Sequence, residues 1–227
     1  MTTGRTKPAL ALTLRDFLAF TPTQKIDHRS VQGCPPGDGS PVLVMPGILH
    51  DDSQTEAFRD GLKMLEYNAL GWELGRNLGP TARLMEGTSV RLSRVVREFG
   101  PVRLVGFSMG GLFARFLAQA KPHLVRQVIT ICSPFADPLH SAWLPTGPAQ
   151  ALWRDVDLGT LAYMTRLRPA VPWASLYSRL DGVVAWQACV DEAAMENCIE
   201  VPVRHRLAMS ETAVLVAVAG CLAGMKS

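Results

Sequence analysis

The segment from Val102 to Gln119 constrains the fold of this chain more than any other. A short apolar run enters the sequence Gly-Phe-Ser-Met-Gly at residues 106–110, and after it apolar residues recur at the spacing of one helix face. The pattern predicts a strand, a sharp turn at Ser108 and a helix. The two glycines would let the arms approach each other without side-chain clashes, while the turn would hold Ser108 in a strained backbone conformation.

This predicted environment suits an activated serine. The hydroxyl of Ser108 would stand above the edge of the sheet, beside free backbone N–H groups and the positive end of the helix dipole, where an oxyanion would develop. A Gly-x-Ser-x-Gly sequence also occurs by chance, and the alternative is a glycine-rich connection whose serine only caps a helix. A base, an acid and an oxyanion hole elsewhere in the chain would favour the catalytic interpretation.

Strands and helices are predicted to alternate along the chain. Strands are predicted at residues 41–45, 69–72, 125–132, 173–177 and 198–203, in addition to the run that precedes Ser108. Helices are predicted from a Ser53/Glu56 capping box to residue 67, and at residues 81–99, 109–120 and 183–195, with a closing helix capped by Ser210. This alternation predicts an α/β three-layer sandwich with a mostly parallel central sheet.

Length and composition favour one domain. The chain has 227 residues, of which 48% are hydrophobic, enough for a buried sheet. Within a single domain of residues 1–227, residues 1–40 are predicted as a leading helix, to about residue 27, and a loop. Residues 133–171 are predicted as an excursion that borders the site, with a helix at about 149–168 and a minimal cap at most. Whether residues 133–148 act as a lid is left open.

Charge and hydropathy exclude several classes of partner. The net charge of +3 is small, and Arg91, Arg94 and Arg97 are predicted to form a solvated helix face, so no nucleic-acid partner is expected. The start of the chain is too interrupted for a signal peptide, which predicts a cytoplasmic protein. The apolar run 213–223 is shorter than the roughly twenty residues that cross a bilayer, so we expect a buried helix and no stable membrane anchor.

The five cysteines show no metal-binding spacing, and their odd number argues against a disulfide framework. A pairing of Cys189 with Cys198 is left open, because the two flank a predicted helix.

Two further residues are predicted to lie at the sheet edge where catalytic groups are often found. Asp181 and His205 each follow the carboxyl end of a predicted strand, the edge at which open parallel sheets bind ligands. A neutral imidazole could take the proton of Ser108 and return it to a leaving group, and a buried carboxylate could hold that ring in the required tautomer. The loop after the first predicted strand, at residues 46–52, could donate a second N–H to an oxyanion.

These motifs together resemble the α/β-hydrolase superfamily, specifically its small bacterial esterases and lipases without a large cap domain. The matching pieces are the elbow at 106–111, Pro46-Gly47-Ile48 where lipases usually carry His-Gly-x, the acid loop at 177–184, and His205 before the last helix. The match spans about residues 42–223.

The resemblance implies a role for each residue. Ser108 would be the nucleophile, His205 the base and Asp181 the acid that orients it, with an oxyanion hole from the backbone N–H groups of Ile48 and Met109. Pro46 in place of the usual histidine leaves those donors available. His50 is a candidate for contact with substrate, and the arginines on either side of His205 are expected to lower its affinity for a proton.

The function expected from this set is a serine hydrolase that cleaves carboxylic esters, acting on a small-molecule ester or a lipid, with no cofactor and no metal. Acyl transfer by the same three residues is an alternative, and so is a catalytically idle fold used for binding. The natural ester, its acyl-chain length and the oligomeric state are not predicted.

Overall fold

The computed structural model describes residues 7–18, 26–27, 31–137, 141–142, 155–165 and 167–224. Among these residues, six strands form one sheet in the order β2-β1-β3-β4-β5-β6, and every neighbouring pair is parallel. The strands are β1 (Pro41–Met45), β2 (Asn68–Gly71), β3 (Val102–Phe107), β4 (Val125–Ile131), β5 (Trp173–Tyr177) and β6 (Cys198–Glu200). The prediction of a parallel central sheet is confirmed.

Helices connect the strands and cover both faces of the sheet. They are α1 (Leu10–Phe17), α2 (Glu56–Met64), α3 (Ala82–Phe99), α4 (Met109–Ala120), α5 (Leu158–Met164) and α6 (Thr212–Leu222). Short 3₁₀ turns lie at Asp52–Thr55, Pro122–Leu124, Trp186–Cys189, Met195–Asn197 and His205–Leu207.

Alternate residues of the central strands build two separate cores. In β1, Val42 and Val44 belong to the core that contains side chains of α2 and α6, whereas Leu43 and Met45 belong to the core that contains side chains of α3, α4 and α5. All five residues of β1 are buried, as expected for a parallel strand covered on both faces. The three-layer sandwich is therefore confirmed.

The segment between β4 and β5 contributes one short helix to the described structure. Leu161 and Met164 of α5 join the core on the α4 side of the sheet, and no large cap is present among the described residues. The predicted helix at 149–168 is thus shorter than expected, beginning at Leu158. Its first residues, and most of the candidate lid at 133–148, lie outside the described residues.

Two helix starts differ from the prediction. The capping box belongs to Asp51 and Gln54: the Ser53 N–H donates to Asp51 Oδ1 at 2.9 Å, and the Asp51 N–H donates to Gln54 Oε1 at 2.8 Å. The 3₁₀ turn that precedes α2 moves the cap two residues towards the N-terminus. Glu211, not Ser210, is the N-cap of α6, and the Ser210 hydroxyl donates to Leu207 O at 3.0 Å.

The predicted helix at 183–195 is wrong. The segment forms only a short 3₁₀ turn at Trp186–Cys189, and its backbone groups also bond to neighbouring segments: the Ala185 N–H donates to Ser141 O at 2.8 Å, and Ala188 O accepts from the Ala136 N–H at 3.0 Å. Strand β6 is also three residues shorter than predicted, because the Val203 N–H donates to the Ser178 hydroxyl at 3.2 Å and leaves the ladder. The leading helix ends at Phe17, and residues 19–25 lie outside the described residues.

The predicted solvated arginine face is wrong for Arg91. Its guanidinium is 8% exposed and donates to Gly71 O at 2.9 Å and to Glu73 at 2.8 Å, so it fastens α3 to the end of β2. Arg94 and Arg97 are exposed, as predicted.

Helix α6 packs against the sheet, and the cysteines form no disulfide. Val214, Leu215 and Val218 of α6 are fully buried against the sheet. Within the described ranges, none of the helices combines the length and the apolar character that crossing a membrane requires. Cys189 and Cys198 do not pair, and all five cysteines are free thiols.

Candidate active site

Ser108 occupies a sharp turn between β3 and α4. Its φ of 51° and ψ of −119° lie in a region of backbone conformation that residues other than glycine avoid. The turn is fixed by two backbone bonds, from the Ser108 N–H to Ile131 O at 2.8 Å and from the Gly111 N–H to Ser108 O at 3.0 Å. A Cβ atom on Gly106 would overlap Gly111 Cα, so the close approach of strand and helix requires the glycine.

The structure brings Ser108, Asp181 and His205 into one hydrogen-bonded line. Asp181 follows β5 and His205 follows β6, so both reach the same edge of the sheet as Ser108. The distance from His205 Nδ1 to Asp181 Oδ2 is 2.6 Å, and that from His205 Nε2 to Ser108 Oγ is 3.1 Å. Ser108 is 6% exposed, Asp181 is 3% exposed and His205 is 6% exposed. A line of this kind can carry a proton from the hydroxyl to the ring.

The acid loop holds the Asp181 carboxylate in a fixed orientation. Its Oδ1 accepts the N–H groups of Val183 at 2.8 Å and of Val184 at 2.7 Å, which leaves Oδ2 for His205. An ionised carboxylate only accepts hydrogen bonds, so Nδ1 of His205 carries the proton and Nε2 is left to accept one from Ser108.

The pKa of His205 is raised above its usual value of 6.5. Burial by itself lowers the pKa, but the charge and hydrogen bond of Asp181, with a smaller contribution from the charge of Asp16, outweigh burial. The expectation that the flanking arginines lower the proton affinity of His205 is therefore wrong. The carboxylate in contact with the ring decides the direction, while the charge of Arg206 lowers the pKa of His50 instead.

The loop after β1 lies directly against the elbow. A Cβ atom on Gly47 would come within 2.9 Å of the Phe107 ring and within 3.3 Å of Ser108 Cβ. Met109 is the first residue of α4, so its N–H has no acceptor within the helix. The Ile48 N–H has no backbone acceptor within the described ranges. The two candidate oxyanion donors thus lie on segments adjacent to Ser108.

Asn77 holds this loop and was missed by the sequence analysis. Its buried side chain donates from Nδ2 to Pro46 O at 2.8 Å. Its backbone accepts from the Leu49 N–H at 2.7 Å and donates to His50 O at 2.8 Å. An asparagine in a turn-rich segment is a signal for hydrogen bonds to loop backbone, but the sequence reveals neither its burial nor which loop it binds.

His50 lies beside the hydrogen-bonded line without joining it. Its ring stacks on Phe107 with centroids 6.0 Å apart, and Phe107 in turn contacts His205 at 4.8 Å. Burial, followed by the charges of His205 and Arg206, lowers the pKa of His50 to about 4, so its ring is neutral near pH 7. Its Nδ1 is buried with no hydrogen-bond partner among the described residues.

A cavity of about 530 Å³ opens next to the elbow. It is lined in part by Leu49, His50, Arg76, Phe107, Arg206 and Met209. A larger cavity of about 860 Å³ lies at the amino ends of β5 and β6, near Trp173 and Cys198. That one is at the opposite edge of the sheet from Ser108, so the smaller cavity is the candidate substrate site.

One buried group has the residue types of a metal site. Donor atoms of Cys132, Asp181 and His205 lie within 4.8 Å of one another. Burial, reinforced by the charge of Asp181, raises the pKa of the Cys132 thiol well above its usual range, so the thiol stays protonated. Asp181 and His205 already bond to each other. This set fits a hydrogen-bonded cluster better than a metal centre.

Asp16 of α1 is the second residue that the sequence analysis missed. Its carboxylate accepts backbone N–H groups of Gly182, His205 and Arg206, although α1 lies at the other end of the chain.

A family model and several solved structures match this chain. A family model described as alpha/beta hydrolase fold matches residues 98–166, which include β3, the elbow, α4 and β4. No curated protein matches the sequence significantly.

Many solved structures are similar to this one. One of them is described with the metagenome-derived lipolytic enzymes LipS and LipT (TM-score 0.63, 16% identity, covering 84% of this chain and 96% of the other). The thioesterase domain from the curacin biosynthetic pathway has a TM-score of 0.55 at 15% identity, covering 81% and 92%. The pyrethroid hydrolase PytH has a TM-score of 0.55 at 16% identity, covering 82% and 98%. At these identities the likeness concerns the fold.

Proposed function

We propose that this chain, which has the α/β-hydrolase fold, is a serine hydrolase that cleaves carboxylic esters through an acyl-enzyme on Ser108. The observation that carries the proposal is the line from Ser108 Oγ through His205 to Asp181, with distances of 3.1 Å and 2.6 Å. Similar structures described as lipolytic enzymes, a thioesterase and a pyrethroid hydrolase support this class of reaction.

In the first half-reaction, Ser108 Oγ attacks the carbonyl carbon of the ester. His205 Nε2 takes the hydroxyl proton as the new C–O bond forms, and Asp181 stabilises the imidazolium. The N–H groups of Ile48 and Met109 would donate to the oxyanion of the tetrahedral intermediate. The bond to the leaving alcohol then breaks, and the alcohol departs with the proton held by His205.

In the second half-reaction, water attacks the acyl group on Ser108 and gives a proton to His205. Collapse of the second intermediate releases the carboxylic acid, and the proton returns to Ser108. Apart from water, each step uses only side chains and backbone groups of this chain, so no cofactor is required by the chemistry.

The cavity beside the elbow is the proposed place for the substrate. Phe107, Leu49 and Met209 offer an apolar wall for an acyl chain or an alcohol group, while Arg76 and Arg206 lie at its border. A volume of about 530 Å³ suits a small-molecule ester.

A series of p-nitrophenyl esters from acetate to palmitate tests the proposal and measures the preferred chain length. We expect turnover by the wild type and its loss in Ser108→Ala, with the fold retained by circular dichroism. Ser93→Ala is the matched control, because its hydroxyl donates to Ser89 O within α3. Turnover by Ser108→Ala at the wild-type rate would contradict the assignment of the nucleophile.

Two further measurements on the purified wild type distinguish ester hydrolysis from acyl transfer and from an idle binding fold. Addition of an alcohol or amine acceptor during turnover would reveal acyl transfer as a second product. A folded wild type that cleaves none of these esters, and that a fluorophosphonate does not label, would favour the idle binding fold.

A further inference from the structure

Asp16 links the acid loop (residues 177–184) to the base loop, the segment at residues 201–207 that follows β6 and carries His205. Its Oδ2 accepts the Gly182 N–H at 2.9 Å and the His205 N–H at 3.0 Å, and its Oδ1 accepts the Arg206 N–H at 3.0 Å. The side chain is fully buried. One carboxylate therefore bridges the residue after Asp181 and the backbone of His205 itself, across 166 and 189 residues of sequence.

The backbone of helix α1 is in direct contact with the acid loop at Gly182. A Cβ atom on Gly182 would overlap the carbonyl oxygen of Leu12, so the helix and the loop approach this closely only because residue 182 is glycine. Sequence patterns that identify a hydrolase acid loop account for Asp181 but not for this second contact.

The two buried side chains described in α1 are polar, whereas two of its leucines are exposed. Thr13 and Asp16 are buried, whereas Leu10, Leu14 and Leu18 are 65%, 54% and 82% exposed. An amphipathic helix normally buries its apolar face. The described side chains of this helix are therefore held to the site by the hydrogen bonds of Asp16 more than by apolar burial.

The position of Asp16 is unfavourable in the isolated helix. It lies in the last turn of α1, where the negative end of the helix dipole disfavours a carboxylate. Burial of an ionised group also costs free energy unless the group is hydrogen-bonded. The three N–H donors from the two loops supply that compensation, so the helix and the loops stabilise each other's arrangement.

We infer that Asp16 is a positioning residue of the active site: it locks the acid loop and the base loop together and so holds the His205 ring in line between Asp181 and Ser108. The inference rests on the proposed function for its effect on turnover. Asp16 touches neither the substrate cavity nor the reacting atoms, and it acts through the backbone of His205.

The titratable and charged groups around His205 determine how its pKa responds to a substitution of Asp16. They are Asp181 after β5, Asp16 from α1, the Cys132 thiol at the end of β4, and His50 after β1, with Arg204 and Arg206 adjacent in the chain. The pKa values of Cys132 and His50 keep both groups neutral near pH 7. The negative charges that favour protonated His205 are therefore those of Asp181 and Asp16.

The test replaces the carboxylate by its neutral isostere, Asp16→Asn. We expect kcat for a p-nitrophenyl ester to fall about 10- to 100-fold, because a small misplacement of a catalytic group has this effect. KM should change little. The acidic limb of the kcat profile should move to lower pH, because loss of the negative charge lowers the pKa of His205. A structural role alone would lower stability without moving that limb.

Thr13→Val is the matched control on the same buried face of α1. Among the described residues its hydroxyl bonds only to Ala9 O, the N-cap of the same helix, at 3.3 Å, so kcat and the pH profile should remain those of the wild type. Gly182→Ala is the second variant: its methyl group would push α1 away without changing a charge, and it should lower kcat in the same way as Asp16→Asn. If Asp16→Asn does not fold, Gly182→Ala decides.

An NMR titration of the His205 imidazole makes the result independent of turnover, with the signal assigned by its loss in His205→Gln. A lower His205 pKa in Asp16→Asn supports the inference even if no ester is cleaved, in which case only the proposed function fails. Wild-type kcat and an unchanged His205 pKa in Asp16→Asn, or wild-type kcat in Gly182→Ala where Asp16→Asn is unfolded, would overturn it.

Discussion

Replacement of Asp181 by Asn tests how the acid loop sets the tautomer of His205. The loop amides of Val183 and Val184 both donate to Asp181 Oδ1. In the variant, these donors would hold the amide oxygen, which leaves the amide NH₂ group facing His205 Nδ1. The ring would then carry its proton on Nε2, where it could not accept the proton of Ser108.

The opposite orientation of the introduced side-chain amide would restore the tautomer at a high cost. It would leave the buried N–H of Val184 and the partly buried N–H of Val183 without an acceptor, at up to about 1–3 kcal/mol each. We therefore expect the unproductive tautomer to dominate, with a loss of about 10⁴-fold in kcat, the size found when the aspartate of a serine-protease triad is replaced in this way. This corresponds to roughly 5 kcal/mol of transition-state stabilisation.

Steady-state hydrolysis of a p-nitrophenyl ester measures this loss. Asp60→Asn is the control, because Asp60 is an exposed residue of α2 that pairs with Lys63 at 3.0 Å. A variant Asp181→Asn that is folded and retains more than about a tenth of the wild-type kcat would refute the argument from the tautomer.

Three further expectations concern pH and stability. The acidic limb of kcat/KM should have its midpoint above pH 6.5, because the pKa of His205 is raised and the protonated ring cannot accept the proton of Ser108. A pH–rate profile measures this midpoint, and a value below 6.5 would contradict the expectation. His50→Gln should leave that midpoint unchanged, because His50, with a pKa of about 4, carries no charge in this range; a shifted midpoint would show that it does. Leu104→Ala should lower the free energy of unfolding by about 2–5 kcal/mol in urea titration, whereas Val90→Ala, 60% exposed on α3, should change it by less than about 0.5 kcal/mol; equal effects would refute the core assignment.

Local patterns predicted the part of the fold that local contacts determine. The elbow at Ser108 is specified by glycines whose missing side chains allow β3 and α4 to touch, and the buried strand β1 is apolar throughout. The predicted helix at 183–195 failed because the backbone at Ala185 and Ala188 bonds to segments that are distant in the sequence, at Ser141 and Ala136. No periodicity within the segment reveals such partners.

The same distinction applies to the candidate site. Asp181 and His205 could be proposed because each follows a recognisable strand, and parallel strands end at one edge. Asp16 and Asn77 could not, since their function depends on which distant backbone groups they meet. The direction of the pKa shift at His205 could not be predicted from the sequence either. The pKa is determined by the carboxylate that the fold brings into contact with the ring more than by the arginines beside it in the sequence.

Peptide mapping by mass spectrometry after reaction with a fluorophosphonate shows whether His205 and Asp181 activate Ser108. If His205 and Asp181 activate Ser108, the wild type should acquire one adduct per chain, on the peptide that contains Ser108, and His205→Gln should acquire almost none in the same time. An adduct on another residue, or equally fast labelling of Ser108 without the imidazole, would contradict the claim.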